Sequence, residues 1–209
     1  MAATLAVPGA GDWLLLSDEL LAGLVHALNN RVTALSVCAE LAALGDDQML
    51  GEGILMEEVG RLQRAAALIG LLPARGHPEA LEIAPVLADA IAIHVHHPTL
   101  RAIACTVDMQ TGMQPVRVPR WALLRLLLIV VDAAKGAVQN GSNAAAAVQL
   151  TSDDSTVHVR AVARDGEGSY ATEMAALCGG ALVREGDTLV LSLPSLNEVR
   201  RRERTGRVG

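Results

Sequence analysis

Between Leu20 and Ala42 apolar residues recur at alternating steps of four and three, through Leu21, Val25, Leu28, Val32, Leu35, Ala39 and Ala42. That spacing is the mark of one long amphipathic helix. A second seam, Leu20, Leu24, Ala27, Ala34, Cys38 and Leu41, runs beside the first, so the apolar face is too broad for a single packing partner. Asp12 and Ser17 are both good N-caps for this helix, and Gly45 stands where it should end.

His26 lies one residue past Val25, beside the stripe and not in it, where an imidazole has no packing reason to be and can reach solvent. Asn30 follows one helical turn later on the same face, placed to orient the ring or to hydrogen-bond whatever the ring carries. The plainer alternatives are a half-buried histidine satisfied by a neighbour and a polar surface asparagine. Asn29 and Arg31 flank the pair, either as solvated surface or as contacts for a docked protein.

A second helix is expected from Asp46-Asp47, residues suited to a helix N-terminus, through Ile54, Leu55, Val59, Leu62, Ala66, Ile69 and Leu72 to a stop at Pro73. Two long amphipathic helices joined by a short connection form an antiparallel hairpin. Alone, that hairpin leaves one side of each helix uncovered, and pairing two copies into a four-helix bundle covers it.

Pro73 to Pro78 reads as a linker, after which the pattern changes. A short strand is expected over residues 81–83, a helix from Pro85 to His96, a strand from Ile103 to Asp108 and an apolar helix from Trp121 to Val138. Two hairpins follow, residues 146–150 with 157–163 and residues 181–184 with 189–193. The fold class is therefore α+β: a helical hairpin over residues 12–73, an α/β sandwich over residues 79–195 with one sheet face open, and a basic tail over residues 196–209. The run Arg200-Arg201-Arg202-Glu203-Arg204 reads as a frayed, solvated end, with a docking patch for an acidic partner as the alternative.

With no Phe, two Trp and one Tyr among 209 residues, the core has to be built from Leu, Val, Ile and Ala. A net charge of -6 argues against nucleic-acid binding. Cys38, Cys105 and Cys178 lack metal-ligand spacing and read as small core residues in a reducing compartment. The most apolar run, Leu123 to Val131, is interrupted by Arg125 and is too short to span a bilayer. A soluble cytoplasmic protein is the expectation. His94, His96 and His97 have no carboxylate or cysteine at ligand spacing, so they read as the cationic end of a helix and no metal site is expected. Asp132 is expected to be structural.

Leu21-Ala22-Gly23-Leu24-Val25-His26-Ala27-Leu28-Asn29-Asn30 resembles the phosphoacceptor motif on the dimerisation helix of bacterial sensor histidine kinases. Leu123 to Ala137, LLRLLLIVVDAAKGA, is similar to the N-box helix of their Bergerat-type (HATPase-like) domain. Ala176 to Pro194, ALCGGALVREGDTLVLSLP, looks like that domain's closing glycine pair and final hairpin. The resemblance spans about residues 15–195 and rests on arrangement more than on any one motif.

The departures are specific. Ala27 stands where these kinases place an acid, and Asp132 where an asparagine holds magnesium. Gly166 and Gly168 match the two family glycines only if Arg164 takes the place of the adenine-reading aspartate; starting from Asp165 misplaces both. Ten residues separate Gly168 from Gly179, too few for a lid and a second glycine-rich turn over a triphosphate.

A dimerisation hairpin with its histidine intact, followed by a degenerate ATP domain, resembles the dimeric histidine phosphotransferases of phosphorelays. The resemblance implies that His26 is the phosphoacceptor, that Asn30 orients ring or phosphoryl group, and that Asn29 and Arg31 meet a receiver domain. It implies no intrinsic cofactor, with Mg2+ brought by the receiver. The partners it implies are a second copy, response-regulator receiver domains and a hybrid histidine kinase. Two rival expectations are an ATP-dependent unorthodox histidine kinase and a non-catalytic protein that sequesters a response regulator.

Overall fold

The computed structural model describes residues 10–43, 52–71, 76–139, 145–163 and 168–205. In chain order the elements are α1 (Ala10–Ala43), α2 (Glu52–Leu71), β1 (Glu79–Leu81), α3 (Ile83–His94), β2 (Cys105–Met109), β3 (Val116–Val118) and α4 (Arg120–Gln139). They continue as β4 (Ala146–Ser152), β5 (Thr156–Val162), α5 (Ser169–Leu177), β6 (Ala181–Glu185), β7 (Thr188–Pro194) and α6 (Leu196–Thr205). The architecture is α+β, a long helical hairpin followed by helices on one face of a mixed sheet.

Five strands lie in the order β2-β4-β5-β7-β6, with β2 parallel to β4 and the other pairs antiparallel. Inward positions alternate along the central strands, through Ala146, Val148 and Leu150 on β4, Val157, Val159 and Ala161 on β5, and Leu189, Leu191 and Leu193 on β7. The opposite face carries exposed Ala147, Gln149, Arg160 and Val162 and is open to solvent. This period of two is what a sheet covered on one side requires. Helix α4 lies across β4 and β5, its Leu123, Leu124, Leu126, Leu127, Leu128, Val130 and Val131 buried. A separate two-stranded sheet pairs β1 with β3.

Helix α1 starts upstream of both expected caps. Ser17 lies inside it, its hydroxyl donating to the Leu14 carbonyl at 2.9 Å, so neither Asp12 nor Ser17 is the N-cap. The expected stops at Gly45 and Pro73, the Asp46-Asp47 start, and the glycine-box residues Arg164, Asp165 and Gly166 lie outside the described residues. The expected 81–83 strand is β1, two residues earlier, and Ile83 already opens α3; Pro85 is the third residue of that helix, where a missing N–H costs nothing.

The two seams of α1 have different fates. Trp13, Leu16, Leu20 and Leu24 join the core of the α/β layer, whereas Val25, Val32 and Val37 on the rest of the helix stay exposed. Burying a large apolar side chain is worth ~1.5–3 kcal/mol. Four of them make the first half of α1 an integral part of the sandwich, and its second half pairs with α2. Arg125, which breaks the apolar run of α4, is seated at this junction. Its guanidinium lies 4.9 Å from the Trp13 ring and 5.2 Å from the Trp121 ring, and it donates to the Tyr170 hydroxyl at 2.9 Å. Trp13 in turn stacks on Tyr170 of α5 at 5.7 Å.

Two helices were not expected from the pattern. Helix α5 occupies nearly the whole interval between Gly168 and Gly179 and closes with the Gly180 N–H on the Ala175 carbonyl and the Gly179 N–H on the Ala176 carbonyl, both at 2.9 Å. Gly179 takes φ +71, the left-handed value this helix ending needs. Helix α6 replaces the expected frayed tail. Ser195 Oγ accepts the Glu198 N–H at 3.1 Å, and Glu198 accepts from Arg201 at 2.6 Å and Arg202 at 2.7 Å.

Candidate functional site

His26 is exposed on α1, two residues beyond fully buried Leu24. Asn30, four residues on, places its amide Nδ2 3.1 Å from His26 Nε2. An amide NH2 only donates, so Nε2 is the acceptor and the neutral ring keeps its proton on Nδ1. The lone pair of Nε2 is thus oriented by one side chain of the same helix.

The helix is brought up against the α3–β2 turn by Gly23. A methyl group on that residue would fall 1.7 Å from the His96 carbonyl oxygen, so the backbones touch where only glycine fits. The result is a cleft of about 470 Å³ with His26, Asn30 and Arg31 on the α1 side and His96, Pro98 and Arg101 on the turn side. Arg31 is half-buried and holds Glu58 of α2 through two bonds of 3.0 and 3.2 Å. Glu58 also receives Arg61 at 2.7 Å. The hydrogen bond from Arg31 holds the Glu58 carboxyl below its usual range. Arg31 is therefore engaged within the chain, while Asn29 is exposed. Burial, and then the Arg31 charge, push the His96 pKa below 6.5.

Behind the cleft His94 and His97 meet carboxylates that lie far away in sequence. His94, fully buried, sets Nε2 2.9 Å from Asp132 Oδ1 of α4, and His97 sets Nε2 2.8 Å from Glu19 Oε2 of α1. The two rings stack at 4.9 Å. His94, His97 and Asp132 offer three donor atoms within 4.8 Å of one another, so the absence of a carboxylate neighbour, inferred from spacing, is corrected by the fold. The donor set is nevertheless a poor fit for a cation. Nδ1 of His97 accepts the Thr99 and Leu100 amide N–H groups at 3.2 and 3.1 Å. That leaves the ring proton on Nε2, the nitrogen facing the carboxylates, where a metal would need a lone pair. The cluster instead ties α1 to α3 and α4. Nor does His94 fit the expected cationic helix end: burial pushes its pKa below 6.5.

Around the expected nucleotide position, Asp132 is taken up by His94 and Lys135 is buried beside it. Desolvation lowers the Lys135 pKa. Helix α5 fills the stretch in which a lid would have to lie, and Trp13 of α1 covers its Tyr170.

No family model matches the chain, and no curated protein matches it. Solved structures do show similarity. The histidine kinase AdeS of Acinetobacter baumannii has a TM-score of 0.45 at 12% identity, covering 82% of this chain and 98% of that one. A histidine kinase of Burkholderia phymatum gives 0.41 at 18%, covering 83% and 95%. A structure described as a bacterial phosphotransferase gives 0.41 at 16%, covering 86% and 95%. All three TM-scores lie below 0.5, and they assign the chain to no family. What it does chemically has to be argued from its own residues.

Of the residues singled out in the sequence, His26 and Asn30 are in contact, Arg31 lines their cleft and Asn29 lies outside it. Arg101 and Gly23 were not singled out, and His96 was read only as part of a cationic helix end. The available signal was Gly23 itself, a glycine within a helical run, which marks a close backbone approach. Among the described residues no helix is long and apolar enough to cross a membrane.

Proposed function

We propose that the chain is a homodimeric histidine phosphotransferase of a cytoplasmic phosphorelay, carrying a phosphoryl group on His26 between receiver-domain aspartates. The observation that carries this reading is an exposed imidazole whose Nε2 lone pair is set by Asn30 at the mouth of a cleft. Transfer from an aspartyl phosphate needs an in-line nucleophile more than it needs acid–base groups. The Nε2 lone pair attacks phosphorus, the P–O bond to the aspartate breaks, and the carboxylate leaves with the electron pair. The Nδ1 proton stays on the ring. Once Nε2 is committed to phosphorus, the Asn30 amide is free to donate to a phosphoryl oxygen. The receiver brings Mg2+ and its own charge-stabilising groups, so Ala27 is no handicap.

ATP has no part in this reading. Support comes from Asp132, paired with His94, and from α5, which leaves no length for a lid between Gly168 and Gly179. A second copy would cover the exposed apolar residues of the hairpin. Purified protein mixed with a labelled phosphorylated receiver should acquire phosphohistidine, and His26→Ala should acquire none. Failure of the wild type to take the label, label persisting in His26→Ala, or saturable heat on titration with ATP and Mg2+ would each overturn the proposal.

A further inference from the structure

The cleft beside His26 is assembled from two parts of the fold, and its chemistry is one-sided. Its polar side chains are those of His26, Asn30 and Arg31 from α1 and His96 and Arg101 from the α3–β2 turn, and none of the described residues lining it is acidic. In a chain of net charge -6 this is an uncommon local balance. Arg31 spends its charge on Glu58, which lies under it with 11% of its side chain exposed. Burial, and then the Arg31 charge, lower the His96 pKa and so favour its uncharged ring. Arg101 is exposed and, among the described residues, has no hydrogen-bond or ion-pair partner. It is the uncommitted cation of the cleft.

We propose that this cleft is a binding site for a tetrahedral phosphoryl oxyanion, in which Arg101 supplies the charge and Asn30 and His96 supply hydrogen bonds. The inference rests on the reading of His26 as phosphoacceptor, and it extends that reading by making the α/β layer part of the reacting site. A guanidinium holds two oxygens of one phosphoryl group at once. As the aspartyl P–O bond breaks and the Nε2–P bond forms, negative charge stays on the three oxygens that do not exchange, and a fixed cation beside them lowers the barrier without having to reorganise. Arg101 lines the same cleft from the turn side, opposite the α1 residues His26 and Asn30. At about 470 Å³ the cleft has room for a phosphoryl group.

The test is a titration of the full chain with inorganic phosphate, followed through the histidine ring resonances. His26 and His96 are expected to shift saturably while His77 and His158 stay still. Arg101→Ala is expected to weaken binding at least tenfold and Arg101→Lys to recover part of it; Arg101 is exposed, so neither change disturbs the core. No saturable shift at His26 and His96, or equal affinity in Arg101→Ala, overturns the oxyanion site. Its failure is separable from that of the parent reading: phosphate binding without transfer from a receiver strikes only the role of His26, and transfer that ignores Arg101 strikes only the cleft.

Discussion

His94 has no exposure, and among the described residues its Nδ1 has no hydrogen-bond partner. Protonation would place a charge where water cannot reach it, so burial lowers its pKa while Asp132 pulls the other way. The unfolded chain titrates this group near 6.5, and the folded chain does so at lower pH. Between those two values the unfolded chain binds more protons, so stability is fully present above 6.5 and declines as pH falls through it. The decline levels off below the folded value. His96 acts with the same sign, from burial and the Arg31 charge. Denaturant unfolding measured from pH 7.5 down to 5 should therefore show falling stability, and His94→Gln, which still donates to Asp132, should flatten that slope and leave the share due to His96. An unchanged slope in His94→Gln would assign the protons elsewhere.

At the scale of elements, the hairpin presents Val25 and Val32, seven residues apart on one face of α1, and Leu55 and Met56 from α2, each 44% exposed or more. Isolated apolar side chains on a surface are ordinary, but a seam repeated along paired helices is an unfinished core. Sedimentation at micromolar concentration should show a dimer. Val32→Glu, which buries a carboxylate at the seam, should raise the dissociation constant at least a hundredfold, equivalent to about 2.8 kcal/mol; a monomeric wild type would remove the bundle. The same seam shows what a sequence reveals. Elements long enough to repeat their burial period, α1, α4 and the two hairpins, are legible because burial writes the period. The three-residue strand β3 repeats nothing, and alanine-rich α5 has little contrast between its faces. Helix α6 was legible in Ser195-x-x-Glu198, a capping signature outweighed by the run of arginines. His26 and Asn30 could be paired from spacing because one helix carries both. Glu19, His97 and Asp132 come from three elements, and no spacing rule joins residues that meet only through tertiary packing.

For the molecule as a whole, α1 is the common member. Its first half belongs to the α/β core, its second half to the hairpin, and His26 stands where the two meet. Gly23 makes that arrangement possible, and two physical effects at this residue oppose one another. In a free helix, Gly→Ala gains about 1 kcal/mol of propensity. Here the new methyl group would overlap the His96 carbonyl oxygen at 1.7 Å and its carbon at 2.8 Å, and both atoms are backbone with no rotamer to yield. Overpacking costs typically ~1–3 kcal/mol, so Gly23→Ala should destabilise the protein even though it improves the helix. Hydrogen exchange locates the effect. In the wild type, amides of residues 13–24 should be protected as well as those of α4, because both lie in one core. In Gly23→Ala they should exchange about tenfold faster or more, a loss of ~1.4 kcal/mol or greater, while the sheet amides change little. The turn that carries His96 and Arg101 should part from His26 in the same variant, so phosphate binding should weaken with the protection. If Gly23→Ala keeps full protection of residues 13–24, α1 is not held at His96, and the cleft beside His26 is not a fixed part of the molecule.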